Sequence, residues 1–354
     1  MQEVKTMWRD VCKSIVPVPE EDLVKAWERL DNLTKPRRSL GRLEEIAARV
    51  AAIRGLPRPD TGKKEIFVFA GDHGVVEEGV SAYPQEVTGL MVRNFLGGGA
   101  AINVLGRWAG AKVNVVDVGV KEEIKDAGGL IKRNVRRASG NIAKGPAMSC
   151  EEAEKAIEVG VEMAEKAFLE GAGMIATGEM GIGNTTPAAA IFAALLPAAP
   201  KDVTGKGTGV EGEALMRKIE VVKKALRVNK ACLSDPLSVL SCLGGLEIAA
   251  ITGLCLGGAS RRLVVVVDGF ISGAGALVAM RLCSEVKDYL FFSHLSQEAG
   301  HKVFYQREAI KPILDLDMRL GEGTGAALAL QIIEAAVRVF NEMATFASVG
   351  ITPQ

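Results

Sequence analysis

The sequence predicts an α/β protein with a doubly wound, mainly parallel sheet, and three observations support this fold class. Forty glycines and an aromatic content of only 5% argue against an all-β sandwich and fit an enzyme with many glycine turns. After the first 60 residues, short β-branched runs alternate with helical patterns, as in parallel βα units. The run LVVVV at 263–267 has no polar alternation, which is typical of a strand covered on both faces.

The elements follow in order along the chain. Two helices are predicted between residues 20 and 54, with Gly55 as the stop signal and LPRPDTGKK as a linker. Strands are predicted at 66–70, 113–118, 174–176, 263–267 and 290–292. Helices are predicted at 85–109, 150–170, 186–196, 211–228, 234–256 in two pieces, 272–283 and 324–347. The connection 121–146 has mixed charge and several glycines, and no regular structure is predicted for it.

Composition and charge exclude several classes of protein. The chain has 354 residues, enough for one large or two modest domains, and its 43 basic residues balance its 43 acidic residues. Because the basic clusters are short and lack interleaved aromatic residues, we expect no nucleic-acid partner. The N-terminus lacks the apolar run of a signal peptide, and the uncharged stretches are too short to cross a bilayer. We therefore expect a cytoplasmic protein that does not enter a membrane.

The cysteines and histidines give no sign of a metal centre. The six cysteines form no CxxC pair and stand mostly in apolar helical surroundings, so we expect buried free thiols. Asp72 and His73 are adjacent, but no further histidine or cysteine follows at metal-ligand spacing. No bound metal is predicted.

Polar residues follow every predicted strand, at the edge of a parallel sheet where ligands bind. They are Gly71–Gly74, Asp117, Gly178–Thr186, Asp268 and Ser293–Ser296. Taken one at a time, each has a structural alternative. His73 and His294 could be histidines satisfied by backbone groups, and Asp268 could cap the next helix. Their recurrence at all of the strand ends favours a binding site.

Two glutamates stand between glycines, each shortly before a helix. Glu179 lies in GEMGIG, and Glu322 lies in GEG. Glycine lets a ligand approach the backbone, and a helix start offers free N–H groups. A single such glutamate could be a solvated loop carboxylate, but the second copy of the pattern favours a functional site.

Three glycine loops, at 181–183, 205–209 and 321–325, could receive a phosphate. None matches the P-loop or the dinucleotide-binding fingerprint, which disfavours classical ATP and NAD sites. Lys218 and Arg319 could supply charge to a single phosphate, although each could instead be a solvated surface charge.

Together these motifs resemble a known family. FAGDHGVVEEGVSAYPQEVTGL, TGEMGIGNTTPAAAI, GKGTGV, VDGFISGAGALVA, SHLSQEAGH and LDMRLGEGTGAALAL are similar to nicotinate-nucleotide:dimethylbenzimidazole phosphoribosyltransferases, and the resemblance spans nearly the whole chain. It implies a homodimer without a cofactor. It also implies a Rossmann-like catalytic domain, assigned to 61–325, and a smaller helical domain from both chain ends, assigned to 1–60 with 326–354.

The implied reaction transfers the 5-phosphoribosyl group of nicotinate mononucleotide to 5,6-dimethylbenzimidazole, giving α-ribazole 5′-phosphate and nicotinate in cobalamin nucleotide-loop synthesis. The resemblance assigns Glu322 as general base and Glu179 as the second active-site carboxylate. It assigns the phosphate, ribose and nicotinate region to Gly181, Gly183, Asn184, Thr185, Gly207, Lys218, Asp268, Ser296 and Arg319. The acceptor base is assigned to Ser81, Tyr83, Gln85, Met180 and Leu320.

Three alternatives stay open on the sequence alone. The acceptor could be another lower-ligand base, such as another benzimidazole, adenine or a phenol. A nicotinamide-dependent oxidoreductase would need GxGxxG after the first strand, where GDHG stands instead. A non-catalytic nucleotide-binding protein would not need both Glu179 and Glu322.

Overall fold

The computed structural model describes residues 8–125 and 128–350, in which six parallel strands form one sheet. The strands are β1 (Lys63–Gly71), β2 (Ala111–Gly119), β3 (Leu130–Lys132), β4 (Ala172–Met180), β5 (Val264–Val267) and β6 (Leu290–Phe292). Their order is β3-β2-β1-β4-β5-β6, so successive strands are added first on one side of β1 and then, from β4 onward, on its other side. This is the doubly wound topology, and it confirms the predicted fold class.

Helices cover both faces of the sheet, which explains the continuous apolar strands. All four residues of β5 are buried, as the unbroken valine run predicts. The helices are α1 (Trp8–Ser14), α2 (Glu20–Asp31), α3 (Arg42–Arg54), α4 (Val87–Leu96), α5 (Ala101–Ala109), α6 (Cys150–Leu169), α7 (Thr185–Leu195), α8 (Pro200–Val203), α9 (Glu213–Val228), α10 (Pro236–Leu243), α11 (Leu246–Ser260), α12 (Phe270–Leu282), α13 (Ala299–Arg307) and α14 (Thr324–Glu342).

The helices near the two chain ends pack together. α3 contacts both α2 and α14, and α14 also contacts α5 and β4. These contacts join the N-terminal and C-terminal segments next to the sheet. The division into 1–60 with 326–354 and 61–325 stays a prediction, and residues 1–7 and 351–354 of that division lie outside the described part of the chain.

Several predicted elements need correction. The helix predicted at 85–109 is two helices, because the three glycines at 97–99 interrupt it between α4 and α5. The connection predicted to be irregular contains the short edge strand β3, which pairs with β2. α1, α8 and α13 were not predicted. β4 continues through Met180, so Glu179 lies on a strand end and not in a loop.

The cysteines are all free, but not all buried. Cys242, Cys255 and Cys283 are buried, whereas Cys150 and Cys232 are exposed and Cys12 is half-buried. The expectation of uniformly buried thiols is therefore wrong for half of them. Within 8–125 and 128–350, no helix combines the length and the apolar character needed to cross a membrane.

Candidate active site

A cavity of about 560 Å³ opens at the carboxyl ends of the strands, next to the switch point between β1 and β4. It is lined by most of the predicted site residues: Glu322, Glu179, Gly181, Asn184, Thr185, Gly207, Ser296, Arg319, Tyr83, Met180 and Leu320. The other predicted residues, Gly183, Lys218, Asp268, Ser81 and Gln85, do not belong to its lining and lie around it. The structure thus brings together residues that are far apart in the chain.

The two glycine-flanked glutamates are neighbours, and their glycines make this possible. A β-carbon on Gly178 would lie 2.6 Å from the carbonyl oxygen of Glu322. A β-carbon on Gly321 would overlap Oε1 of Glu179. Each motif therefore leaves room for the other glutamate's backbone or carboxylate, and only glycine fits at these two positions.

Glu322 has an unusual backbone conformation. Its φ is +63°, in the left-handed region, and its neighbours Gly321 and Gly323 have φ of +85° and +93°. A non-glycine residue in this region is strained, typically by about 1–3 kcal/mol, and such residues concentrate at functional sites. The Oε2 atom of Glu322 is buried and has no hydrogen-bond partner among the described residues.

Asp268 holds the loop that carries Glu322. Its Oδ2 accepts a hydrogen bond from the N–H of Gly323 at 3.1 Å, and its Oδ1 accepts one from the N–H of Ala326 at 2.9 Å. The alternative of capping the next helix, α12, does not apply, because Asp268 caps the start of α14 instead. Since both carboxylate oxygens are engaged, the assigned contact with ribose stays a prediction.

Burial sets the protonation of both glutamates. Burial, followed by the charges of Asp268 and Glu247, raises the pKa of Glu179 to about 8, while the amide of Asn184 donates to its Oε2 and opposes the shift. Burial also raises the pKa of Glu322, and the backbone N–H of Ile102 at the start of α5 opposes this. At neutral pH Glu179 therefore carries a proton, and the pKa of Glu322 is raised in the same direction.

One end of the cavity is polar and cationic. The ammonium of Lys218 is fully buried behind the cavity wall and donates to Thr185 Oγ1 at 2.7 Å and to the carbonyl of Gly205 at 3.1 Å. Arg319 Nη1 contacts the carbonyl of Gly207 at 3.4 Å. α7 begins at Thr185, so the positive end of its helix dipole lies at the same region. Gly183 packs against Val76, close to this helix start.

Another part of the wall is apolar. Tyr83, Met180 and Leu320 line it together with Val87 and Met91 of α4. Tyr83 and Leu320 are 55% and 58% exposed, so they lie at the opening and not inside the protein. A flat aromatic molecule could be held between such side chains.

Ser81 and Gln85 are engaged elsewhere in the wall. Ser81 Oγ lies 3.3 Å from Thr208 Oγ1. The amide of Gln85 donates to the carbonyl of His73 at 3.0 Å, and its oxygen accepts from Lys121 at 3.2 Å. Their assigned contacts with the acceptor base stay predictions.

The GDHG segment at the end of β1 packs against Gly181 of the site. His73 is fully buried, and its Nε2 lies 2.8 Å from Glu247 Oε1 at the start of α11. A β-carbon on Gly181 would lie 3.2 Å from the same nitrogen. Burial opposes the charged form of His73, but Glu247 and Asp72 outweigh it and raise the pKa of the imidazole. The His73–Glu247 pair therefore lies next to Gly181, in the loop that follows Glu179, and backbone groups alone do not account for His73.

The sequence did not identify several wall residues. Val87 and Met91 are one helical turn apart on α4, and this spacing is visible in the sequence once the helix is placed. Glu298 lines the cavity at the N-cap of α13, a helix that was not predicted, so its capping position could not be recognised. No cluster of three histidine, cysteine, aspartate or glutamate side chains suited to a metal ion occurs in the described residues.

Comparison with known proteins identifies the family. A family model described as phosphoribosyltransferase matches residues 15–351. The chain belongs to the phosphoribosyltransferase family. Among its relatives, the nicotinate-nucleotide–dimethylbenzimidazole phosphoribosyltransferase of Geobacter sp. strain M21 is 56% identical over 338 residues, which cover 96% of this chain and 97% of that protein. The enzyme of the same name from Chlorobaculum parvum is 52% identical over 345 residues, covering 98% of each.

A solved structure supports the same assignment. The crystal structure of CobT from Thermus thermophilus matches with a TM-score of 0.90 and 49% sequence identity, covering 94% of this chain and 100% of that one. A phosphoribosyltransferase has to hold a phosphate, a ribosyl carbon and an acceptor in one cavity. The polar end, the paired glutamates and the apolar wall supply groups for each of these tasks.

Proposed function

We propose that this phosphoribosyltransferase transfers the 5-phosphoribosyl group of nicotinate mononucleotide to 5,6-dimethylbenzimidazole, giving α-ribazole 5′-phosphate and nicotinate for the nucleotide loop of cobalamin. Relatives that bear this activity in their names are 52–56% identical to the chain over nearly its full length. The observation that carries the proposal is Glu322, a buried carboxylate with a free oxygen in a cavity that has both a cationic and an apolar wall.

Glu322 acts as the general base in this proposal. It takes the N–H proton of the benzimidazole, and the other ring nitrogen attacks C1′ of the ribosyl group. As the new C1′–N bond forms, the bond from C1′ to the nicotinate nitrogen breaks, and its electron pair stays on the departing pyridine ring. Burial raises the pKa of Glu322, which makes it a stronger base for this transfer than an exposed carboxylate.

The stereochemistry fits a single displacement with inversion. The donor is a β-nucleotide and the product is an α-nucleotide, so attack from the opposite face with inversion is sufficient. Positive charge develops on the ribosyl ring during the reaction, and nearby negative groups stabilise it. Glu179, protonated near neutral pH, contributes hydrogen bonding more than charge, whereas Asp268 fixes the position of Glu322 through its contacts with Gly323 and Ala326.

The phosphate of the nucleotide is assigned to the polar end of the cavity. Lys218, Arg319 and the start of α7 supply positive charge there, and Gly181, Gly207 and Asn184 line the same cavity. Ser296 lies on the same wall and is assigned to the ribose or nicotinate. We further propose that the enzyme needs no cofactor, works in the cytoplasm and is a homodimer, which sedimentation analysis at several concentrations would test.

The experiment is direct. The protein is incubated with nicotinate mononucleotide and a panel of benzimidazoles, adenine and phenols, and nicotinate release and product configuration are followed by chromatography and NMR. We expect release with 5,6-dimethylbenzimidazole and an α-configured product. Preference for adenine or a phenol would replace the acceptor but keep the transfer, and no release with any acceptor would refute the proposed function.

A further inference from the structure

Glu298 is a buried carboxylate at the cavity that the reaction outlined above leaves without a role. It is 5% exposed and forms the N-cap of α13. Its Oε1 accepts a hydrogen bond from the N–H of Gly207 at 2.8 Å. Its Oε2 is buried and has no hydrogen-bond partner among the described residues. An unpartnered buried carboxylate oxygen costs stability unless a nearby positive charge compensates it.

The nearest candidate for that charge is Lys218. Burial lowers the pKa of Lys218 to about 8, and the charge of Glu298 opposes the decrease. The ammonium donates two hydrogen bonds, to Thr185 and to the carbonyl of Gly205, and has a third donor left. No direct ion pair joins Lys218 and Glu298 in the described part of the chain, so their charges interact across the loop at 205–209.

The 205–209 loop can pass between the two charges because Gly205 and Gly207 have no side chains. A β-carbon on Gly205 would overlap Oε2 of Glu298, and one on Gly207 would lie 2.6 Å from the ammonium of Lys218. The loop is thus held from one side by a carboxylate and from the other by an ammonium. Arg319 also contacts this loop, at the carbonyl of Gly207, and it lines the cavity. The Lys206–Glu211 ion pair is exposed to solvent.

We propose that Glu298 is a positioning residue that fixes the 205–209 loop and keeps Lys218 charged, so that Lys218 binds the phosphate of the nucleotide substrate. This inference rests on the proposed function. Glu298 is placed to act through Gly207 and Lys218, because its Oε1 accepts the N–H of Gly207 and its Oε2 lies against Gly205. The carboxylate thus holds the loop that lies next to the ammonium of Lys218.

The proposal predicts a specific pH dependence. A phosphate monoester is largely a dianion above about pH 6, so at higher pH its affinity follows the charge of the lysine. Lys218 loses its proton as the pH rises through about 8. The KM for nicotinate mononucleotide of the wild-type enzyme should therefore rise above that pH. Without the charge of Glu298, the pKa of Lys218 falls further, and the rise in KM begins at lower pH.

The test compares Glu298→Gln, Lys218→Met and the double variant. Glutamine keeps an oxygen that can accept the N–H of Gly207 but removes the charge. For Glu298→Gln we expect a KM for nicotinate mononucleotide raised roughly tenfold at slightly alkaline pH, with a smaller change in kcat and an unchanged KM for the acceptor. In the Lys218→Met background, the same change should alter the KM by less than about twofold.

Glu211→Gln is the matched control, because Glu211 is an exposed carboxylate beside the same loop. Its KM profile should follow the wild type. Calorimetric titration with nicotinate mononucleotide and thermal unfolding, run on each variant, separate weak binding from loss of folding.

Three results would overturn the proposal. The first is a folded Glu298→Gln variant whose KM has the same pH profile as the wild type, and the second is tighter nucleotide binding by that variant. The third is a change in KM from Glu298→Gln that is as large in the Lys218→Met background as in the wild type, which would mean that Glu298 acts on the substrate directly. An inactive wild-type enzyme would instead refute the proposed transfer reaction, because nucleotide binding by calorimetry does not depend on turnover.

Discussion

Oε1 of Glu179 occupies the space beside Gly321 that any larger residue would fill with its β-carbon. The reverse relationship holds at Gly178, which faces the carbonyl of Glu322. The two motifs come from β4 and from the loop before α14, and they fit together only because each has a glycine opposite the other glutamate. This interlocking fixes the distance between the two carboxylates of the proposed site.

Gly321→Ala adds only one methyl group, but it should lower kcat/KM because that methyl group would meet Glu179. The methyl group would displace the carboxylate of Glu179 and shift Glu322, and a displacement of about 1 Å can cost a factor of about 10² in rate. Gly171→Ala is the matched control, because its φ of +86° equals that of Gly321 within a degree while nothing lies near its β-carbon position. We expect both variants to lose stability in denaturant titrations, but only Gly321→Ala to lose kcat/KM. Equal activities would show that the interlocking has no functional importance.

Glu322→Gln should separate activity from stability. We expect a loss of about 10² to 10⁴ in kcat, because the amide cannot accept the acceptor's proton. The free energy of unfolding should be unchanged or higher near neutral pH, because the buried, unpartnered Oε2 is replaced by an uncharged group. Nicotinate release and urea denaturation measure the two effects. A variant that is both fully active and folded would remove Glu322 from the mechanism.

Glu179 should make stability depend on pH. Its pKa is raised from 4.5 to about 8 in the folded protein, so the folded state holds the proton more tightly than the unfolded state. Its contribution to stability is present below the unfolded pKa and is lost as the pH rises through about 8. Glu179→Gln, which cannot ionise, should lose less stability over this range than the wild type. If the free energies of unfolding of the wild type and Glu179→Gln changed equally with pH, the raised pKa of Glu179 would be contradicted. Glu151→Gln, which changes an exposed carboxylate, is the control.

Asp268→Asn should weaken the anchor of the Glu322 loop. Asparagine can accept only one of the two N–H groups, from Gly323 and Ala326, that Asp268 accepts. We expect a loss of about 1–3 kcal/mol in the free energy of unfolding and a decrease in kcat, with little change in the KM for nicotinate mononucleotide. Asp235→Asn is the control, because Asp235 also accepts two backbone N–H groups, at the start of α10. Because both of these N–H groups bind Oδ1, which asparagine keeps, this variant should lose little stability and keep its activity. A large rise in KM for Asp268→Asn would instead support direct contact with the ribose.

The sequence predicted the parts of the site that follow from the geometry of a parallel sheet. The carboxyl ends of all parallel strands meet at one edge, so Glu179 at the end of β4 could be placed at the site, and Glu322 was associated with it by the shared glycine pattern and the family resemblance. The exit of β1 at Asp72 and His73 was recognised in the same way, although its partner Glu247 was not.

The remaining features depend on contacts that spacing does not encode. The bond from Asp268 to Ala326 joins residues 58 positions apart, and an aspartate after a buried strand looks the same whether it caps a helix or binds a ligand. Glu298 was missed because α13 was missed. Its proposed role depends on the charge of Lys218, which lies on the other side of the 205–209 loop. β3 was missed because three residues are too few to show a period.

The central claim is that Glu322 removes a proton from the acceptor base, and an acceptor without that proton tests it most directly. In 1-methyl-5,6-dimethylbenzimidazole the N–H is replaced by N–CH₃, and the remaining nitrogen can still attack C1′. The rates of nicotinate release by the wild type and Glu322→Gln are compared with both acceptors. We predict a ratio of about 10² to 10⁴ with the parent base and a ratio near one with the methylated base. The same large ratio with both acceptors would contradict the assignment of Glu322 as the general base.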